Sequence, residues 1–250
     1  MSDLPLQKVC EDMRRLRKEW PDKCTAASTG GPIIGRDEED ARVWQSNTRM
    51  LEQAGAQFIE YSLSCPQGGD SSEGAIVSQS AALSAKVVEW VLSTPHANLN
   101  IPKIFKMTAA VASVSAIMEA VQHVMKRYPE HRSGITLSNS YPVVAFGSST
   151  NSSGGPYPLQ HNRRGSQKQR LPDGAIVGMA GQSVLPLTYS ALSQVAGMEV
   201  PLATLSGNGG IHDTQSAVRC IAMGCGVLQV CTVAQNHGLG ASAGGTLLLA

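Results

Sequence analysis

The feature of this sequence that most constrains its fold is a regular alternation between amphipathic helical patterns and short apolar runs. Each apolar run is short enough for a strand, and a helical pattern separates most runs from the next. This alternation is typical of βαβ units, which build a parallel sheet with helices packed on it. We therefore predict helices over residues 6–19, 39–54, 80–92, 111–127, 185–196 and 214–223, and strands over 22–29, 57–62, 102–107, 135–138, 200–205 and 227–232.

The length and apolar content of the chain fit one domain of the α/β class. The chain has 250 residues, of which 42% are hydrophobic, and a TIM (β/α)8-type barrel needs about 250 residues. We predict one barrel domain over residues 1–250, with a loop excursion at about 141–178, where Ser, Gly, Pro and Asn are frequent. Six predicted strands, and no amphipathic pattern after Thr232, indicate a barrel that is short of a full set of elements.

Charge and composition argue against several classes of protein. Lys and Arg number 20 and Asp and Glu number 19, so the net charge of +1 gives no electrostatic reason to expect nucleic acid or an anionic membrane as partner. No stretch reaches the roughly 18 apolar residues of a membrane span, and we expect a cytoplasmic protein. The six cysteines form no C-x-x-C pair and the histidines lack ligand spacing, so no metal site is expected.

The segment SLSCPQGG, residues 62–69, places Cys65 just after a predicted strand. Barrel enzymes carry their active sites at the carboxyl ends of the strands, and a cysteine there can act as a general acid or base. A small buried hydrophobic role for Cys65 stays open, because free cysteine is often buried.

Two further strand ends carry polar side chains. Lys106 ends the strand in PKIFKMTAA, where it either faces the barrel mouth, near a flavin whose reduced anion it could stabilise, or lies on the surface. Asn139 and Ser140 follow the strand in TLSNS, and their amide and hydroxyl groups can bind the edge of an amide-containing ring. A turn or capping role for Asn139 and Ser140 is the alternative.

Two glycine-bearing segments, GMAGQS (178–183) and SGNGGI (206–211), each precede a helical pattern. Glycines let backbone N–H groups approach a phosphate, and the start of a helix favours the negative charge. Barrels often build a phosphate site from their late loops, so these segments indicate phosphate binding, with simple tight turns as the alternative.

Together these segments resemble the dihydropyrimidine and dihydroorotate dehydrogenases. IEYSLSCPQGG is similar to their active-cysteine segment E-L-N-L-S-C-P-x-G, IPKIFKMT to their flavin-contacting lysine strand, and ITLSNS to the strand that meets flavin and pyrimidine. GMAGQSVLPL is similar to their phosphate loop, and GNGGI with GVLQVCTVAQN resembles their last two strands. The stretch 227–236 favours the dihydropyrimidine dehydrogenases.

The resemblance implies an FMN-dependent oxidoreductase that reduces the 5,6 double bond of uracil or thymine in pyrimidine metabolism. It implies that Cys65 protonates C5 of the pyrimidine and that Lys106 contacts FMN. It also implies that Ser62, Asn139 and Ser140 contact the substrate, with Asn139 meeting FMN as well. The remaining residues implied to bind FMN, mostly around its phosphate, are Gly181, Gly209, Gly210, Cys231 and Thr232.

The resemblance further implies a partner and an incomplete barrel. NAD(P)H would supply electrons indirectly, through an electron-donating flavoprotein or iron–sulfur subunit or domain, because this chain has no cysteine-rich cluster motif and no Rossmann fingerprint. Set against the family, the chain lacks the first two strands and the last helix of the barrel. Exposed sheet edges invite association, so we expect a homo- or hetero-oligomer.

Two departures from the family pattern leave other functions open. Ser62 stands where the family has Asn, and Gln67 stands where it has His or Asn. A related reductase for another cyclic amide or enone is therefore one alternative. A non-catalytic or partner-dependent barrel remnant is the other, because of the missing elements.

Overall fold

The computed structural model describes residues 5–64, 76–111, 113–145, 175–198 and 203–237. In these ranges six parallel strands form one sheet in the order β1-β2-β3-β4-β7-β8. The predicted α/β class with a parallel sheet is confirmed. The six strands are β1 Ala26–Thr29, β2 Phe58–Ser62, β3 Lys103–Lys106, β4 Ser133–Thr136, β7 Ala203–Asn208 and β8 Cys225–Gln229.

Helices alternate with these strands as the sequence pattern predicts. The helices are α1 Leu6–Glu19, α2 Asp37–Gln53, α3 Ala81–Leu92, α4 Val114–Met125, α5 Leu185–Val195, α6 Thr214–Ala222 and α7 Thr232–His237, with 3-10 turns at Val77–Gln79 and Gln182–Val184. Helix α7 was not predicted, because six residues are too few to show an amphipathic period. Ser80, Ser113 and Asp213 cap the starts of α3, α4 and α6 through their side chains.

Two strands that the sequence pattern did not predict form an antiparallel hairpin at the base of the 141–178 segment. Strand β5, Tyr141–Ala145, pairs with β6, Ala175–Met179. Both strands are rich in the Val, Ile and Tyr residues that favour extended backbone. The expected loop excursion is therefore wrong for its two ends, and residues 146–174 lie outside the described residues.

The core lies between the sheet and the helices, on one face of the strands. Tyr61, Phe105 and Ile135 alternate with residues of the opposite face and are fully buried. The rings of Tyr61 and Phe105 stack at 5.4 Å, and the Tyr61 hydroxyl lies 2.8 Å from Thr48 of α2. Burial raises the pKa of the Tyr61 hydroxyl well above its ordinary value.

A buried ion pair ties the amino end of β3 to α2 on the same face. Lys103 is completely buried, and its ammonium donates to Glu52 Oε1 at 2.9 Å. It also donates to the carbonyl oxygens of Asn98 at 2.9 Å and Ile101 at 3.1 Å. All three ammonium protons are thus satisfied, as a buried charge requires.

The opposite face of the sheet carries the other set of alternating residues, at the carboxyl ends of the strands. In the strand register Ser62 pairs with Lys106, Lys106 with Thr136, and Thr136 with Ser206. Parallel strands end at the same edge, so four neighbouring strands present these side chains together. This edge positions the candidate site.

Candidate functional site

A polar network joins the carboxyl ends of five strands. Lys106 Nζ of β3 donates to Glu60 Oε1 of β2 at 3.4 Å. Gln229 Nε2 of β8 donates to Glu60 Oε2 at 2.9 Å and to Thr136 Oγ1 of β4 at 3.1 Å. Asn208 Nδ2 of β7 completes the network by donating to Gln229 Oε1 at 3.4 Å. The network fixes the charged and amide groups at one end of the sheet.

Lys106 lies at the mouth of this face and is paired. Its side chain is 19% exposed and that of Glu60 is 13% exposed. Lys106 is therefore mostly buried and paired, and is not the surface lysine of the alternative. A largely buried ammonium is a positive charge held in a low-dielectric place, where it can stabilise an anionic ring.

The residues implied to contact substrate lie at the end of β2 and just after the end of β4. Ser62, at the end of β2, is buried. Asn139 Nδ2 donates to Ser64 Oγ at 2.5 Å, which joins the end of β4 to the residues just after β2. Ser140 is exposed and packs against β6, since a Cβ atom built on Gly178 would lie 2.7 Å from its Oγ.

Cys65 lies outside the described residues, as do the other residues of 65–75, including Gln67. The described chain reaches Ser64, the residue immediately before the cysteine. The hydrogen bond from Asn139 holds Ser64 beside the strand end that carries the polar network. The chain therefore enters the segment that contains Cys65 from this edge of the sheet.

The two glycine-bearing segments meet at the start of α5. Gly209 and Gly210 have φ of +98° and +84°, which only glycine adopts without strain. A Cβ atom on Gly210 would lie 2.7 Å from the backbone nitrogen of Leu185, and one on Gly209 would lie 2.6 Å from Thr188 Oγ1. Thr188 Oγ1 in turn donates to the carbonyl oxygen of Gly209 at 2.9 Å. Glycine is therefore required for this loop to lie against the start of α5.

Gly181 brings the other glycine segment to the same place. Its φ is +82°, and a Cβ atom there would lie 3.1 Å from Thr232 Cγ2. Cys231, next to Thr232, is exposed. The structure thus brings together, near the starts of α5 and α7, five of the residues that the resemblance implies for FMN binding: Gly181, Gly209, Gly210, Cys231 and Thr232. Backbone N–H groups at the start of a helix suit a phosphate, and Gly181, Gly209 and Gly210 line the place where the loops meet the start of α5. We call this place the glycine cradle; it is the part of the edge that could hold a phosphate group.

Four members of the network were missed by sequence reasoning: Glu60, Thr136, Asn208 and Gln229. Glu60 alternates with Ile59 and Tyr61, which are buried in the core, so period-two alternation already placed it on the opposite face. A glutamate on that face beside a lysine on the next strand is a signal for an ion pair. Asn208 and Gln229 gave no such signal, because their pairing depends on the register between β7 and β8.

The described residues were also compared with the needs of a metal site, a membrane-spanning helix and a reactive thiol. They contain no group of three or more His, Cys, Asp or Glu side chains that could hold a metal ion. Across the same residues, no helix has the length and apolar content needed to cross a membrane. Cys10, Cys220 and Cys225 are buried free thiols, and burial raises the pKa of Cys225 to about 12, so this thiol is held in its unreactive form.

Comparisons with known proteins agree with the motif resemblance. No protein-family model matches the chain. The chain is 26% identical over 243 residues to the NAD-dependent dihydropyrimidine dehydrogenase subunit PreA of Escherichia coli K12, covering 95% of this chain and 51% of the relative. It is also 26% identical over 247 residues to the chloroplastic dihydropyrimidine dehydrogenase (NADP(+)) of Arabidopsis thaliana, covering 96% and 51%. The chain thus spans about half the length of these curated relatives.

The fold is that of a solved DHODH. The crystal structure of DHODH from Eimeria tenella in complex with ferulenol matches with a TM-score of 0.63 at 13% identity, covering 94% of this chain and 61% of that one. The predicted barrel-type fold class and the resemblance to dihydropyrimidine and dihydroorotate dehydrogenases are both confirmed.

Proposed function

We propose that this chain is the FMN- and pyrimidine-binding part of an oxidoreductase of the dihydropyrimidine dehydrogenase type. The reaction is reduction of the 5,6 double bond of uracil or thymine. The observation that carries the proposal is the polar network around Lys106 and Glu60, which lies at the strand ends where barrel enzymes place their chemistry. The named relatives support the same class of reaction.

Each side chain at this edge has a role in the proposed reaction. FMN, when bound, supplies the hydride that reaches C6 of the pyrimidine. Cys65 gives its thiol proton to C5, so that one hydride and one proton saturate the double bond, and the thiolate then takes a proton from solvent. Lys106 would offer its positive charge to the flavin. Asn139 and Ser140, with Ser62, offer amide and hydroxyl groups to the polar edge of the pyrimidine.

The phosphate of FMN is assigned to the glycine cradle. The backbone at Gly181, Gly209 and Gly210 brings the loops against the start of α5, where N–H groups and the helix dipole favour a negative charge. Cys231 and Thr232 border the same place. With the phosphate held there, Lys106 would be the residue that offers its positive charge to the flavin ring.

Electrons are proposed to come from NAD(P)H through an electron-donating flavoprotein or iron–sulfur partner. One relative is named as an NAD-dependent subunit, which supports a multi-subunit arrangement. In the described sheet β1 pairs with β2 and β8 with β7, so each outer strand presents a second edge that could join another chain. We therefore include a homo- or hetero-oligomer in the proposal.

One observation favours the alternative of a partner-dependent, non-catalytic chain. Thr204, on the same sheet face as the polar network, is exposed, and Val227 is 44% exposed. A closed barrel buries such positions in its interior. If a partner must cover this face before FMN binds, the chain alone will retain no flavin.

The proposal is tested by FMN retention. We expect the purified chain, mixed with FMN and passed through gel filtration, to keep the visible absorption bands of flavin. Lys106→Met should weaken FMN binding, while Lys86→Met, which removes a surface lysine paired with Asp37, should not. Chains that elute without flavin, or equal FMN affinity of the two variants, would count against the proposed site.

Cys65→Ala tests the proton donor separately. We expect this variant to bind FMN as the parent chain does, but to reduce uracil and thymine about 10²-fold more slowly or worse, the effect of losing a general acid. A panel that also contains other cyclic amides and enones tests the substrate. Preference for one of these over both pyrimidines would favour the alternative based on Ser62 and Gln67.

A further inference from the structure

Glu60 is the junction of the polar network. One carboxylate oxygen accepts from Lys106 at 3.4 Å, and the other accepts from Gln229 at 2.9 Å. With 13% of its side chain exposed, Glu60 is largely removed from water. Each oxygen of this largely buried carboxylate therefore has a partner, the Lys106 ammonium on one and the Gln229 amide on the other.

The contacts of Gln229 fix the orientation of its side-chain amide. Its amide nitrogen donates to Glu60 and to Thr136, and its amide oxygen accepts from Asn208. Turning the amide over would place its oxygen against the Glu60 carboxylate and its nitrogen against the Asn208 donor. Gln229 therefore holds the carboxylate oxygen of Glu60 that Lys106 does not contact.

The Lys106–Glu60 pair differs from the buried pair on the same strand. Lys103 donates to three oxygens and is completely buried, which is the arrangement of a structural ion pair. Lys106 lies 3.4 Å from Glu60 and keeps 19% of its side chain exposed. Among the described residues Glu60 is the one acceptor of its ammonium, so within that part of the chain two of its protons stay available at the mouth of the site.

We propose that Glu60 is a positioning residue and counter-ion for Lys106, held in place by Gln229. Glu60 keeps the ammonium at the strand end and offsets its charge, so that it limits how strongly Lys106 stabilises an anionic ring. The part of this inference that concerns flavin rests on the proposed function. We call the contacts of Gln229 and Lys106 with Glu60 the clamp, and the part of the inference that concerns the clamp rests on these contacts alone.

The clamp is tested without flavin, by the rate at which a small amine reagent acylates each lysine, measured by peptide mass spectrometry. In Glu60→Gln we expect Lys106 to react faster by about threefold or more, because its ion-pair partner is lost. Gln229→Leu should give a smaller increase, because Glu60 keeps its charge but loses its orientation. Lys86 serves as a surface control whose rate should stay the same.

Lys103 reports whether the fold has changed. If Glu60→Gln leaves the rate at Lys106 unchanged, the clamp does not exist. If the rates at Lys103 and Lys106 rise together, Glu60 is a structural residue and the proposal is overturned. Faster labelling of Lys106 alone, in both variants, supports it.

The flavin part is tested by the reduction potential of bound FMN. Lys106→Met should make the potential more negative, and Glu60→Gln should make it more positive, because the ammonium is then less offset. In the Lys106→Met background the effect of Glu60→Gln should shrink, since Glu60 acts through the lysine. Full additivity of the two shifts would overturn this part. A chain that binds no FMN refutes the proposed function, while the acylation rates still decide the clamp.

Discussion

Replacing Lys103 by Met should destabilise the protein strongly, although the residue lies on the face of the sheet opposite the proposed chemistry. The ammonium of Lys103 is fully buried and donates to Glu52 and to two backbone carbonyls. Its removal leaves the Glu52 carboxylate, only 8% exposed, without a counter-charge. The other Glu52 oxygen keeps the backbone N–H of Asn98 as donor, at 3.0 Å.

The size of the effect follows from burial. Breaking a buried ion pair by removing one partner costs about 3–5 kcal/mol, because an uncompensated charge remains. Lys106→Met, on the same strand, should cost about 1–2 kcal/mol, because Glu60 keeps the donor of Gln229 and some contact with water. The double change Lys103→Met with Glu52→Met removes both charges, so its cost should be well below the sum of the single changes.

Urea unfolding followed by far-UV circular dichroism measures these free energies. We expect the midpoint of Lys103→Met to fall furthest, that of Lys106→Met to fall slightly, and that of the double variant to recover much of the loss. A loss below about 1 kcal/mol for Lys103→Met would refute the assignment of a buried charged pair. A double variant no more stable than Lys103→Met would refute the coupling.

Three further predictions concern other parts of the fold. Gly210→Ala should cost about 2 kcal/mol or more of stability and weaken FMN binding, because the φ of Gly210 is +84° and the new Cβ would meet the backbone at the start of α5. Gly197→Ala, where a new Cβ would lie in open space, should change stability by less than about 0.5 kcal/mol. Equal urea midpoints for the two variants would contradict this. Burial first, and Lys103 second, lower the pKa of His131. His131 therefore adds stability when the pH is above the ordinary pKa of histidine, and this stability should be lost as the pH falls through the lowered pKa of the folded protein. Stability should depend less on pH in His131→Gln. Tyr141→Phe should be neutral or slightly stabilising by thermal unfolding, since the buried hydroxyl has no hydrogen-bond partner in the described chain and burial raises its pKa to about 12; a loss above about 1 kcal/mol would reveal a partner.

The regular elements were predictable because their periodicity reflects local burial. Helix α1 and strand β2 end where the sequence pattern places them, since apolar spacing directly records which face is covered. The hairpin of β5 and β6 was not predictable. Its two strands are separated by a long polar segment, so their pairing is a tertiary contact that no local period records.

The sequence predicts some of the residues of the candidate site, but it does not predict which of them are hydrogen-bonded to each other. Lys106 and the glycines at 209 and 210 are visible in sequence because a charge in an apolar strand and paired glycines are locally unusual. The roles of Gln229 and Asn208 depend on the register of β7 and β8, which contains a bulge between Leu205 and Ser206. A one-residue change of register would turn these side chains to the other face, and sequence spacing does not reveal it.

The most direct test of the central claim is the oxidative half-reaction of the FMN-loaded chain. The bound flavin is reduced by light without oxygen, with EDTA as the sacrificial electron donor, and uracil is then added in the dark while the visible spectrum is recorded, so no electron-donating protein partner is needed. The account predicts that the oxidised flavin bands return and that dihydrouracil forms in an amount equal to the flavin reoxidised. Flavin that stays reduced with both uracil and thymine, until oxygen is admitted, would contradict it.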